Sequence, residues 1–476
     1  MNIFALVLKQ MRQRLLTSIL TVLSVALGVA LAIAILSISR QGQAVFAQTD
    51  YGYDLIVGPK ASPTQLVLNT VYHLDVSPGN IPYALYEDLA STNEASAFGE
   101  GKKNPFRGQV QWAVPYAVGD SYEGHRIVAT TPALFGFDSA GAALPGEKTP
   151  EYRVGQHYVI AEGRVFGAAK FEAVIGSETA RRTGLKVGSE FHATHGMPGP
   201  SDIPDIHEET WKVVGILAPT HTANDRVLFI PLPTFYAIFE HEAGLEAIQQ
   251  VKNKAEGVRN ENKKPEASSQ KSVELEEKAY TLSPDGTVTP KLAKAEWEVS
   301  AVLVKARSAY TLQQLIFTLR NRPEAVGVNP ASAMQAFFDT FLQNLVLVLL
   351  LIAALVIVVG GVSILVSIYN AVSSRGREIA ILRALGATRM RIVAVICLEA
   401  AVVGLLGAVA GLVGGHALAA LASTYLAREV GQGFTWWAVS GDEVLGLAVV
   451  VAMAAVAGLV PALKAYRVPV AENLVS

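Results

Sequence analysis

The sequence predicts an α-helical membrane protein with four transmembrane helices and one large mixed α/β extracytoplasmic domain. Three observations predict it. Hydrophobic residues make up 51% of the chain and charged residues 17%, well below the roughly 25% charged of a soluble domain. The charges are also unevenly spread: residues 15–39, 340–374, 400–427 and 444–463 carry no Asp, Glu, Lys or Arg. About 20 apolar residues cross a hydrocarbon core at the helical rise, so each run is long enough to span. Finally, residues 40–339 alternate short β-branched and aromatic runs with turn residues, the pattern of a globular α/β fold.

Residues 1–39 hold the N-terminus and the first span. Lys9, Arg12 and Arg14 precede the span, and Val45-Phe46-Ala47 imitates a signal-peptidase site. The apolar run exceeds the 7–15 residues of a signal's core, which favours a retained span. Basic clusters then recur at alternate ends of the spans, with Lys464 and Arg467 following the last one. The positive-inside bias therefore puts both termini in the cytoplasm and residues 40–339 outside. The expected order continues with a second span (340–372), a cytoplasmic coupling loop (373–391) and a third span (392–427). A short external loop (428–442) with Trp436 and Trp437 as interfacial anchors, a fourth span (443–463) and a cytoplasmic tail (464–476) complete it.

Within the external region, strands are expected at 54–58, 108–118, 125–131, 211–217 and 226–232, each rich in Val, Ile or aromatics. Helices are expected at 83–91 and 311–322, the latter with Leu312, Leu315 and Leu319 on one face. Residues 251–294 mix both charges with Pro, Ser and Gly and hold few large apolar groups. Such a stretch buries too little to offset its chain entropy and reads as a mobile insertion or extended hairpin.

The loop between the second and third spans is the most telling segment. It carries Arg375, Arg377, Arg383, Arg389 and Arg391, with Glu378 near its start. Ile379, Leu382 and Leu385, three residues apart, predict a short amphipathic helix, with Gly386 ending it and Thr388 capping the next. Such a helix suits docking of a soluble partner; the bland alternative is that the arginines only set topology and bind anionic headgroups. The run REIAILRALGATR resembles the signature of FtsX/MacB-type permeases of ATP-binding-cassette systems, the lipoprotein-releasing permeases included. LLTSILTVLSVALGVALAIAI near the N-terminus and the terminal PALKAYRVPVAENL are similar too, so the resemblance covers essentially the whole chain.

The resemblance implies a MacB-type periplasmic core of two lobes, one built from both ends of the region. FEAVIGSETARRTGLKVGSEF resembles its strand, helix and turn. It also implies a bacterial inner-membrane protein whose large domain lies in the periplasm. The expected partners are a second permease copy or a paralogue, a cytoplasmic ATPase dimer, and a periplasmic adaptor or substrate protein, besides membrane lipid. ATPase coupling falls on Arg377, Glu378, Ile379, Leu382, Arg383, Leu385 and Gly386. No GxxxxGK[ST] loop occurs in the sequence, so ATP and Mg are expected in a partner chain and this subunit is expected to be non-catalytic. The implied mechanism is mechanotransmission, in which ATP-driven closure moves the external domains rather than opening a route through the membrane. An alternative is a regulatory scaffold for an envelope hydrolase; another is the permease of a zinc-related envelope system.

The last alternative rests on HATHGMPGPSDIPDIHEE and PTHTANDR, which hold His192, His195, His207 and His221. Imidazoles beside Asp202, Asp205, Glu208 and Asp225 suit a zinc-type ion. Yet the spacing fits no closed structural site, and an exposed Pro/Gly-rich loop carries polar residues anyway. Two intramembrane groups invite similar pairs of readings. Glu399 either pairs with a loop arginine or snorkels to the interface. His416, deeper in its span, reads as a neutral histidine packed against a neighbouring helix rather than a proton relay, while Gly360, Gly361, Gly411, Gly414 and Gly415 favour close helix packing. The net charge of −2 argues against nucleic acid, and Cys397, the single cysteine, has no partner within the chain.

Overall fold

The computed structural model describes residues 7, 9, 11–46, 49–74, 76–197, 204–238, 279–384, 386–430 and 436–466. For residues 44–46, 382 and 426–430 it describes the backbone alone. The chain divides into two compact units, one of residues 1–46 with 336–476 and one of residues 47–335.

The second unit is built on a ten-stranded mixed sheet. Its strands are β1 (Leu55–Gly58), β2 (Val110–Tyr122), β3 (His125–Thr130), β4 (Ile160–Gly163), β5 (Glu172–Ile175), β6 (Glu190–His195), β7 (Ile206–Leu217), β8 (Leu228–Pro231), β9 (Ala301–Ala306) and β10 (Val326–Val328). They run β10-β1-β9-β2-β3-β8-β5-β7-β4, and β6 pairs with both β7 and β2. Two pairs are parallel, β8 with β3 and β7 with β5. Strands β1, β3 and β8 are buried at every residue, as expected of a sheet covered on both faces. The long strand β2 joins two halves. Residues 110–116 pair with β9 and residues 117–122 with β3, so strands from both ends of the region (β1, β9 and β10) gather on one side.

Local signals explain the covering helices. Pro63–Thr70 starts at Ser62, whose side chain caps the Gln65 amide, with Pro63 at the first position. Ala309–Arg320 opens with a Ser308–Thr311 capping box and buries Leu315 and Leu319. Trp211 is fully buried between the rings of Phe171 and Phe191, and its indole N–H donates to Thr234 Oγ1 at 3.2 Å.

One expectation changes here. Strand β7 begins at Ile206 rather than at Trp211, because its polar HEET arm pairs antiparallel with β6. Of the insertion expected at 251–294, residues 251–278 lie outside the described residues. In the rest, Tyr280–Leu282 and Val288–Pro290 form a hairpin, one of the two forms expected, with Val288 buried.

The first unit is helical: α1 (Leu15–Phe46), α2 (Gln343–Ser374), α3 (Gly376–Ala384), α4 (Arg389–Val430), α5 (Gly441–Ala457) and α6 (Leu459–Tyr466). Four stretches are long and apolar enough to cross a membrane: Leu15–Gln43, Pro330–Ser374, Arg389–Tyr425 and Gly441–Tyr466. Helix α1 runs past Arg40, since a charge marks where hydrocarbon ends rather than where a helix must stop. Pro461 sits early in α6, just after the break at Gly458. The apolar side chains of Leu16, Leu355 and Leu421 are largely exposed, a surface suited to lipid. Inside, Gly407, Gly411 and Gly415 of α4 face Val25, Val29 and Ile33 of α1, both sets spaced by four residues. A Cβ on Gly411 would stand 2.5 Å from that of Val29, so only glycine allows the approach.

Candidate functional site

At the basic end of the helical unit, four chain segments converge. Arg14 donates to Ser374 Oγ, and Arg375 reaches Gln13 Oε1 at 3.5 Å. Lys464 Nζ donates to Ser373 Oγ at 2.8 Å and lies 3.8 Å from the Tyr369 ring centre. The Arg389 guanidinium stands 5.0 Å over Tyr466. The N-terminal segment, the end of α2, the loop and the end of α6 thus share one polar surface. Ring stacking and neutral acceptors help to hold these cations in place.

Helix α3 is anchored in this surface. Glu378 in its first turn and Arg383 in its last both favour the helix dipole. Gly386, at φ 95°, closes it by donating its amide to the Arg383 carbonyl at 3.1 Å. Thr388 Oγ1 then accepts from the Arg391 amide and starts α4.

The faces of α3 differ from the sequence expectation. Ile379 is only 8% exposed and Ala380 fully buried, both packed toward the helical unit's own core. Arg377, Glu378, Ile381 and Ala384 face outward, and Ile381 is 43% exposed. Ile379 therefore faces inward in this structure. In a helix held against a bundle an apolar side chain turns toward that bundle, as Ile379 does here. Arg383 is half-buried and Gly386 exposed; Leu385 and the Leu382 side chain lie outside the described residues.

Glu399 is half-buried in α4, where Arg375 and Arg14 are the charges that act on it. Among the described residues it forms no direct ion pair with either. His416 belongs to the opposite end: its Nδ1 lies 2.6 Å from the Trp436 carbonyl oxygen and its Nε2 3.3 Å from Glu443 Oε2. Glu443 closes a capping box with Ser440, and Arg40 donates to Ser440 Oγ at 2.6 Å and to the Asp442 carboxylate. His416 is thus a tether for the chain entering α5 rather than a group deep in the span.

In the sheet unit, the four histidines do not meet. His192 and His195 are three residues apart on β6, and odd offsets on a strand point to opposite faces. His221, at φ 53°, lies in the loop after β7 that the Asp225 carboxylate organises by accepting from the amides of Thr220 and His221. Only His195 and His207 come together. They do so around Asp120 of β2, which sequence reading passed over. Asp120 lies beyond the strand expected at 108–118, where β2 continues to Tyr122.

Comparison with known proteins follows this division. The model of a MacB-like periplasmic core domain matches residues 18–322, and that of an FtsX-like permease C-terminal domain matches residues 350–470. A search of curated proteins finds no match.

Proposed function

The chain belongs to the FtsX/MacB-type permeases of ATP-binding-cassette transporters, and from that premise we propose that it works by mechanotransmission. A separate cytoplasmic ATPase dimer docks on α3, and its ATP-driven closure moves the domain of residues 47–335 on the far side of a bacterial inner membrane. Two permease copies, or this chain and a paralogue, sit side by side over the ATPase pair.

One observation carries this reading: α3 is clamped on its inner face by Ile379 and Ala380 while Arg377, Glu378, Ile381 and Ala384 stay outside. A helix anchored on one side and open on the other passes a push into the spans without first yielding itself. The outward set of an arginine, a carboxylate and one isoleucine fits a polar-rimmed contact with an apolar centre. Family kinship supports a non-catalytic role for this chain, with nucleotide chemistry in the partner.

The direct test is Ile381→Asp. It places a charge at the centre of the proposed contact and leaves the buried face intact. Co-purification of the ATPase should fall at least tenfold, about 1.4 kcal/mol of binding, while the permease still inserts. Retention of the ATPase at wild-type level would remove α3 from the coupling role.

A further inference from the structure

Strands β2, β6 and β7 bring three side chains to one spot that transmission of force does not require. Asp120 and His195 are cross-strand partners between β2 and β6. His207 enters from β7, where pairing with β6 shifts register between Ile206 and Thr210. The side chains of Asp120 and His207 have no exposure, and that of His195 has 51%. Backbone bonds hold the spot: the His195 amide donates to Asp205 O and the Gly196 amide to Gly119 O, each at 2.8 Å. Ser121 Oγ adds a bond to Gly196 O at 2.6 Å.

Asp120 Oδ1 lies 3.3 Å from His207 Nε2 and 3.7 Å from His195 Nδ1, and one ligand atom from each residue falls within 4.8 Å of the others. A charge-assisted hydrogen bond between such groups closes to about 2.7–2.9 Å. Ligands on a tetrahedral ion with bonds of about 2.0–2.1 Å stand about 3.4 Å apart. Asp120 Oδ1 and His207 Nε2, at 3.3 Å, are hydrogen-bonded as they stand and also lie near the second spacing. Two imidazole nitrogens with one carboxylate oxygen form a borderline donor set, favoured by zinc-type ions over magnesium or calcium.

We propose that Asp120, His195 and His207 bind one zinc-type divalent cation. Among the described residues these three offer ligand atoms, one fewer than a four-coordinate zinc ion takes. The ion ties three neighbouring strands, so its binding raises the stability of the folded sheet unit by mass action.

The test uses the full-length chain in mild detergent, free of any polyhistidine tag and stripped with a chelator. Cobalt(II) should give a visible ligand-field band that saturates at one ion per chain and is displaced by zinc, and zinc should raise the melting temperature. Loss of outer-shell partners alone costs metal sites about 10–100-fold, so His195→Ala and Asp120→Asn should weaken binding by about 100-fold or more. His192→Ala, on the other face of β6, should bind as the parent does. His195→Gln repeats the decisive arm with a side chain that hydrogen-bonds but ligates poorly, and circular dichroism checks that each variant is folded. Absence of a saturable cobalt band, or parental affinity in the folded His195→Ala and His195→Gln variants, would overturn the site.

Discussion

Single residues here follow two logics, one legible from composition and one set by the neighbours they fold against. His73 shows the second. It is buried beside β2 at φ 54°, its Nε2 2.9 Å from Asn224 Oδ1. Burial above all, with Arg126 and Arg226 adding to it, pushes its pKa down to about 3, against the raising effect of the Asn224 bond. Burial lowers His125 in the same direction. An unfolded histidine titrates near 6.5, so the unfolded chain takes up the proton first. The stability His73 contributes is therefore complete above about pH 6.5 and is lost as pH falls toward about 3. Fluorescence of Trp112, Trp211 and Trp297, all buried in this unit, should report a melting temperature that falls over that window. His73→Gln should flatten the fall, with His125 and the arginine-paired carboxylates of Glu172 and Glu178 supplying what remains; an unchanged slope would remove His73 as a source. Nothing in the run TVYHLDV announces this, because the cause is tertiary burial.

Elements were more legible than residues. The charge-free runs marked all four spanning helices, and β-branched runs marked β1, β2, β3 and β8 to within a few residues. Several strands escaped: β4, the apolar β9 and β10, and the polar β6 and first half of β7, whose HATH and HEET are stabilised by pairing with each other rather than by apolar composition. The face of α3 escaped for a related reason, since a stripe's direction depends on what lies beside it. Packing between α1 and α4 was half legible. Gly411, Gly414 and Gly415 were visible as small residues, but the register that matters is Gly407, Gly411 and Gly415 against Val25, Val29 and Ile33. At Gly414 a Cβ would meet only Ala30 at 3.4 Å, whereas at Gly411 it would meet Val29 at 2.5 Å. Gly414→Ala should leave thermal stability in detergent unchanged. Gly411→Val should cost at least the 1–3 kcal/mol typical of overpacking, read as a lower melting temperature or failure to accumulate. Equal tolerance of both would mean α1 and α4 do not pack in this register.

At the scale of the whole chain, two units of unlike chemistry share one polypeptide. One is a helical unit with exposed leucines and a cation-rich end; the other is an α/β unit whose sheet is completed by strands from both ends of its sequence. That division was legible early, because hydropathy reports on solvent and the two units meet different solvents. The proposed metal site was only half legible: His195 and His207 lay in a visible cluster, while Asp120 is some 75 residues away in sequence from His195, an interval the β2–β6 pairing closes. The central claim is that ATP hydrolysis felt at α3 moves the unit of residues 47–335. Paired spin labels at the exposed positions Val154 and Val439, in the ATPase-bound complex with Cys397 replaced, test it most directly. The account predicts a distance distribution that shifts between nucleotide-free and ATP-bound states and loses that shift in Ile381→Asp. One distribution in both states, recorded while the bound ATPase is turning over, would contradict it.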